Sequence, residues 1–293
     1  MPPAPGDLLA RVAPPLFVVI WATGFVVARL VAPHADPLAF LTLRFGLAAL
    51  VLAAVAVIAG ARWPATLSGW RDGLVAGVLL HGAYLGGVFW AVKHGLPAGI
   101  SALVAGLQPL ATGMLVGPLL GERVSRRRWL GILTGFAGAI LVVAPKLGVA
   151  DGLPPVPLFI CLLGMLSITL GTIWQKRTAA SVDLRTNAVL QYLGAVAFTL
   201  PIALATETGR LDASAPEFWI ALLWTVFAMS IGAVGLLLLL IRRGAVAKVA
   251  ALLYLVPPVA AVMAFWLFGE ALSPVQIVGM ALAAVGVAIA SRG

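Results

Sequence analysis

The length of the apolar blocks restricts this chain more than any other feature. Runs of about 17 to 25 mostly apolar residues recur from end to end, separated by short breaks rich in charge, Pro or Gly. A helix of about 20 such residues crosses the roughly 30 Å of hydrocarbon in a bilayer. In that layer every backbone N–H and C=O must be satisfied internally, which leaves helices or a closed barrel. With 62% hydrophobic and only 10% charged residues, the 293-residue chain has too few charges to cover a soluble globule. The blocks predict an all-α polytopic membrane protein with ten transmembrane helices, at 15–32, 37–59, 73–92, 97–118, 128–145, 155–174, 185–205, 217–241, 246–268 and 273–291.

Short loops make successive spans antiparallel, so alternate loops share a side. Fourteen of the 19 Lys and Arg then fall on the side of the termini, with Arg123, Arg126, Arg127 and Arg128 in the 4–5 loop. The other side holds Arg29, Arg44, Lys93, Lys146 and Arg210. This bias predicts N- and C-termini in the cytoplasm. It also accounts for the +9 net charge without nucleic acid as a partner. Cys161 is the single cysteine, so no disulfide and no cysteine-based metal site forms within one chain. The N-terminal stretch reads as a retained first span rather than a cleaved signal peptide.

The chain also repeats itself. Displaced by 148 residues, 98–142 lies over 246–290 without a gap, with nine identities: Ala102/Ala250, Leu107/Leu255, Pro109/Pro257, Leu119/Leu267, Gly121/Gly269, Glu122/Glu270, Ser125/Ser273, Gly131/Gly279 and Gly138/Gly286. Matched leucines mean little in oily sequence. Matched Pro, Gly-Glu-x-x-Ser and spaced glycines are backbone punctuation, and they mark a duplicated unit, residues 1–150 and 151–293. Five spans per unit is an odd number, so the second half enters from the opposite side. Two inverted five-helix repeats around a central cavity suit a secondary transporter that presents one site to each side in turn. Glu122 and Glu270 then mark opposite mouths, as gate or helix-end residues, and Pro109 and Pro257 a pair of mid-membrane kinks.

Polar groups near the bilayer midplane are costly and therefore informative. The third span offers His81 and Tyr84, three apart on one face that Val88 continues. The fourth offers Gln108 before Pro109, the sixth Thr169, the eighth Ser230 and the ninth Tyr254. Thr169 and Ser230 are expected to bond back to their own helices, and His81 and Tyr84 either meet substrate or satisfy a neighbouring helix. Tyr254 stands where the first half has Gly106, which predicts an asymmetric cavity. Most tryptophans lie near span ends, as an interfacial belt requires, but Trp21 and Trp224 are deeper. All ten acidic residues fall in tails, loops or span ends, leaving no midplane carboxylate for proton relay or Na⁺. There is no phosphate-binding Gly-rich loop, no HExxH helix and no paired membrane aspartates, so neither a cofactor nor an enzymatic activity is expected.

Trp21-Ala22-x-x-Phe25 in the first span, Arg44-Phe45 opening the second, and Gly-Glu after a proline-marked span in each half resemble the drug/metabolite transporter superfamily, EamA type. The resemblance covers nearly the whole chain, and is nearest to the bacterial exporters of aromatic amino acids and paraquat. It implies residence in a bacterial inner membrane and a basket of helices around a cavity lined mainly by spans 1, 3, 4, 6, 8 and 9. The sixth span carries Gly-Met-Leu-Ser-Ile-Thr where an echo of Trp21 would fall, so no role transfers there. The expectation is export of small metabolites, aromatic and other amino acids, by a functional monomer. Trp21, His81, Tyr84 and Tyr254 would supply ring surfaces, and Gln108 with freed backbone the polar contacts. No basic residue is expected deep in a span, which counts against phosphorylated sugars. Export of flat cations is the alternative, and an intramembrane lipid-acting enzyme a remote one.

Overall fold

The computed structural model describes residues 5–96, 98–121, 123–144, 154–178, 182–233, 235–236, 240, 252–268 and 273–291. Among these the chain is helical. In order come α1 (Pro5–Val31), α2 (Pro37–Ile58), α3 (Leu67–Lys93), α4 (Ala98–Ala105), α5 (Gln108–Leu120), α6 (Arg126–Val143), α7 (Pro155–Thr178), α8 (Leu184–Thr206), α9 (Pro216–Ala233), α10 (Val256–Phe268) and α11 (Pro274–Ser291). α4 and α5 together cross as one broken span, Ile100–Leu120. Seven stretches among the described residues are long and apolar enough to cross a membrane, and Pro258–Leu267 and Pro274–Ala290 are shorter apolar helices.

The surface is inverted relative to a soluble protein. Leu50, Ile58, Met114, Leu130, Trp266 and Val278 are exposed, whereas Arg44, His81, Gln108, Gln175, Asn187 and Gln191 are buried. Apolar residues outside and polar residues inside is the arrangement that a hydrocarbon solvent favours.

The punctuation shared by the two halves sets helix ends. Gly121 closes α5 at φ 71°, a left-handed conformation that glycine adopts without a Cβ penalty. Ser125 opens α6, its Oγ accepting from the Arg128 N–H at 3.2 Å. Its counterpart Ser273 opens α11 in a reciprocal capping box: the Gln276 N–H donates to Ser273 Oγ at 3.3 Å, and the Ser273 N–H to Gln276 Oε1 at 3.0 Å. The matched prolines begin helices rather than kink them. α4 ends at Ala105 and α5 restarts at Gln108, which places Pro109 in the first turn. Pro257 falls in the first turn of α10, after a 3₁₀ turn at Leu252–Leu255. Glu122 and Glu270 lie outside the described residues.

Two helix pairs form the frame. α2 packs along α8, and α6 along α11. In the second pair glycines let the backbones touch: a Cβ on Gly131 would stand 2.7 Å from the Gly286 carbonyl oxygen, and one on Gly138 2.7 Å from that of Gly279. Residue number rises along one helix as it falls along the other, so the pair is antiparallel. Both α3 and α9 leave α-helical geometry midway, with π-helical turns at Val78–Ala83 and Trp224–Ala233. A π-turn carries an extra residue and turns side chains that a regular helix would aim elsewhere.

Candidate functional site

The two π-turns face a cavity between α1, α2, α3 and α9. Trp21, Gly24 and Phe25 of α1 form one wall, and Tyr84, Leu85, Val88 and Phe89 of α3 another. Arg44, Leu80, His81 and Met229 close the third side. The cavity holds about 510 Å³ of empty space counted out to its mouth. Its centre is narrow, with about 30 Å³ free, room for roughly one to three waters. A smaller chamber of about 260 Å³ lies behind the shared wall of Trp21, Phe25 and Tyr84, lined also by Gly106 and Gln108 at the α4–α5 break, Ile168 and Val256. Trp21, Phe25 and Tyr84 together form the partition between the chambers.

The polar corner is a connected network. Arg44 Nε donates to Ser230 Oγ at 3.1 Å, and the Tyr192 hydroxyl to the Ser230 carbonyl at 2.8 Å. His81 stacks on Tyr192, ring centroids 4.8 Å apart, and its Nε2 meets Gln191 Oε1 at 3.2 Å. Gln191 Nε2 donates onward to Gln175 Oε1 at 2.8 Å. The carboxamide oxygen of Gln191 is an acceptor, so the neutral His81 ring carries its proton on Nε2.

Trp21, His81 and Tyr84 therefore meet in one chamber, and Gln108 enters the adjoining one while its Nε2 donates to Thr172 Oγ1 at 3.3 Å. Ser230 reaches the site through Arg44 rather than by lining it. Thr169 lines neither chamber; its hydroxyl donates to the Met165 carbonyl one turn back at 2.9 Å. Tyr254 packs elsewhere, against Phe136 and the bare face of Gly135, where a Cβ would stand 2.7 Å from Tyr254 Cδ2. The ring that replaces Gly106 is thus accommodated by a glycine on α6 rather than by the cavity. Trp224 points outward, 44% exposed, its N–H donating to Thr23 Oγ1 at 2.8 Å.

Arg44 corrects the sequence reading. Counted there with one side's loops, it lies two turns inside α2, 3% exposed, so a deep basic residue is present. Its signal was available: α2 starts at Pro37 after the Asp36 cap, which puts position 44 well within the span. Gln175 and Gln191 are two further buried polar residues absent from the sequence reading, because they pair with each other and with His81 between helices, which no single span's sequence shows.

An apolar-surfaced helical bundle enclosing a cavity with aromatic walls and a polar corner has the build of a membrane-embedded small-molecule transporter. The chain belongs to the EamA-like transporter family, whose model matches it twice, over residues 8–144 and 156–292. Among named relatives, the Escherichia coli K12 "uncharacterized inner membrane transporter YedA" is 26% identical over 94% of this chain and 88% of its own length. The "probable amino-acid metabolite efflux pump" of Salmonella typhimurium is 27% identical, over 94% and 92%. The "probable terminal-alkyne amino-acid exporter" of Streptantibioticus cattleyicolor is 28% identical, over 94% and 91%. A solved crystal structure shares the fold over 96% of both chains with a TM-score of 0.73 at 21% identity.

Proposed function

We propose that this protein exports small metabolites, aromatic and other amino acids, across a bacterial inner membrane by alternating access. Ten spans form two inverted five-helix halves, with both termini cytoplasmic, and the working unit is a monomer without enzymatic activity. The observation that carries the reading is the cavity itself, a space with aromatic walls and one polar corner, buried between helices of both halves. Trp21 and Tyr84 offer ring faces to an aromatic side chain. Arg44 supplies a hydrogen-bond donor, His81 the Nδ1 acceptor left by its Nε2 contact with Gln191, and Gln108 an unpartnered carbonyl oxygen.

The inverted repeat is supported by the contacts. Adding 148 to the residue numbers of α2, α5 and α6 reproduces the bounds of α8, α10 and α11 to within a residue. It also turns the Gly131–Gly286 contact into Gly279–Gly138, and both are present at matching distances. α1 packs on α9 and α10, and its counterpart α7 packs on α3 and α5. Such an exchange of partners is what two halves related by an in-plane twofold axis require, and rocking one against the other opens the cavity to each side in turn. Arg44 weighs against export of flat cations, since a fixed guanidinium in the cavity repels them.

The test is uptake by proteoliposomes offered phenylalanine, tryptophan, glycine, a sugar and a flat cation, with and without a pH gradient. Phenylalanine and tryptophan are expected to enter faster than glycine and faster than into protein-free liposomes. Equal rates for all would overturn the assignment.

A further inference from the structure

Among the described residues the Arg44 guanidinium stands without a counter-charge. No Asp or Glu lines the cavity, and Nη1 of Arg44 is buried without a hydrogen-bond partner among the described residues. Arg does not deprotonate in proteins, so the charge cannot be relieved by releasing a proton. Its Nε is held by Ser230 Oγ at 3.1 Å, which fixes the guanidinium plane against the cavity and leaves Nη1 as the free donor. A buried, uncompensated cation is expensive, and is retained where an incoming anion completes it. The complementary group for an ammonium is missing. Among the described residues the cavity walls carry Trp21, His81 and Tyr84 as their other N–H- or O–H-bearing side chains, and none of them is an anion.

From this asymmetry, and resting on the transport reading above, we propose that the site recognises an aromatic carboxylate as such. The carboxylate seats on Arg44 Nη1, the ring lies between Trp21, Phe25 and Phe89, and the α-amino group is dispensable. The substrate class is therefore aromatic and bulky apolar monocarboxylates, of which amino acids are one kind. Met229 packs on the bare face of Gly24, where a Cβ would stand 2.7 Å from Met229 Cε.

The experiment is competition against labelled phenylalanine uptake in proteoliposomes, with 3-phenylpropionate, which lacks the amine, and phenethylamine, which lacks the carboxylate. 3-Phenylpropionate is expected to compete about as well as unlabelled phenylalanine, and phenethylamine to require at least 10- to 100-fold more, the value of a charge-assisted hydrogen bond. Arg44→Lys, which keeps the charge but loses the planar fork, should weaken 3-phenylpropionate competition by about tenfold or more. Ser230→Ala, which frees the guanidinium plane, serves as the second variant should Arg44→Lys not fold, and should weaken it in the same direction. Strong competition by phenethylamine with none by 3-phenylpropionate overturns the proposal while leaving amino-acid export intact, as does an unchanged inhibitor profile in both variants. Absence of any phenylalanine uptake overturns the transport reading first, and this inference with it.

Discussion

Four glycines along α6 and α11 permit a quantitative prediction about the frame. Any Cβ placed at Gly131 or Gly138 meets a backbone carbonyl oxygen at 2.7 Å, and one at Gly279 or Gly286 meets its counterpart at 2.8 Å. The nearest backbone atom lies closer still at three of them, 2.4 Å at Gly131 and Gly138 and 2.2 Å at Gly286; ordinary Cβ contacts begin at 3.4 Å, so a single Ala substitution must part the backbones by about 0.6–1.2 Å. Main chain cannot rotate away as a side chain does. A gap of that size forfeits about a quarter to a half of each dispersion contact along the seam, and such overpacking costs about 1–3 kcal/mol. For a chain of this size that lowers Tm by roughly 2–5 °C. The assay is thermal unfolding of the purified variants in detergent, followed by intrinsic tryptophan fluorescence. Because the contacts exchange under the 148-residue displacement, Gly131→Ala should match Gly279→Ala, and Gly138→Ala should match Gly286→Ala. Gly46→Ala is the control: nothing lies within 4 Å of a Cβ there, so the substitution should be neutral or stabilise α2 by up to about 1 kcal/mol. Wild-type Tm values for all four seam variants, or large differences between mates, would refute the reasoning.

Other expectations follow from single contacts. Glu207 caps α2 from the end of α8, taking the Leu38 N–H at 2.9 Å and the Ala39 N–H at 2.8 Å; Glu207→Ala should lower stability by about 0.5–2 kcal/mol, read as Tm, with Glu207→Gln between. The Arg185 side chain, as the strongest influence, holds the Asp183 carboxyl at about 2, below its ordinary 3.8. A depressed carboxylate contributes stability that is complete above the ordinary value and fades as pH falls from 3.8 toward 2, so the Tm gap between wild type and Asp183→Asn should be widest near neutrality and close in that window. His81→Ala removes the partner of Gln191 Oε1 and one cavity wall; amino-acid uptake should fall severalfold with expression retained, and unchanged rates would confine His81 to packing.

Much of this architecture was legible in the sequence because the constraints on membrane helices are blunt. Pro37 and the apolar run after it located α2 almost to the residue, and Ser125 and Ser273, read only as matched punctuation of the repeat, cap α6 and α11. The α4–α5 break was read as a kink because a proline pattern does not distinguish a bent helix from one that stops and restarts. The side-chain placements were harder. His81 and Tyr84 do reach one cavity, but from adjoining walls, with the π-turn ending between them. Thr169 turned back on its own helix, as a lone hydroxyl in an apolar helix tends to. Tyr254 was misleading for a pairwise reason: a large side chain in one half is absorbed by Gly135 on a helix distant in sequence. Arg44 escaped since charge counting assigns every Arg near a span end to a loop, whereas its stem and neighbours carry it into the interior. Gln175 and Gln191 make sense only as a chain ending at His81, and pairings between helices do not show in the periodicity of either.

The account stands on one cavity reached from both faces of the membrane. Leu85 lines that cavity and makes no polar contact in it, so Leu85→Cys in a Cys161→Ala background reports on access with little disturbance. The measurement is labelling by a membrane-impermeant maleimide, in right-side-out and in inverted membrane vesicles, with and without phenylalanine. The account predicts labelling in both preparations and slower labelling when phenylalanine fills the site. Labelling from one face alone, at a rate phenylalanine does not alter, would contradict it.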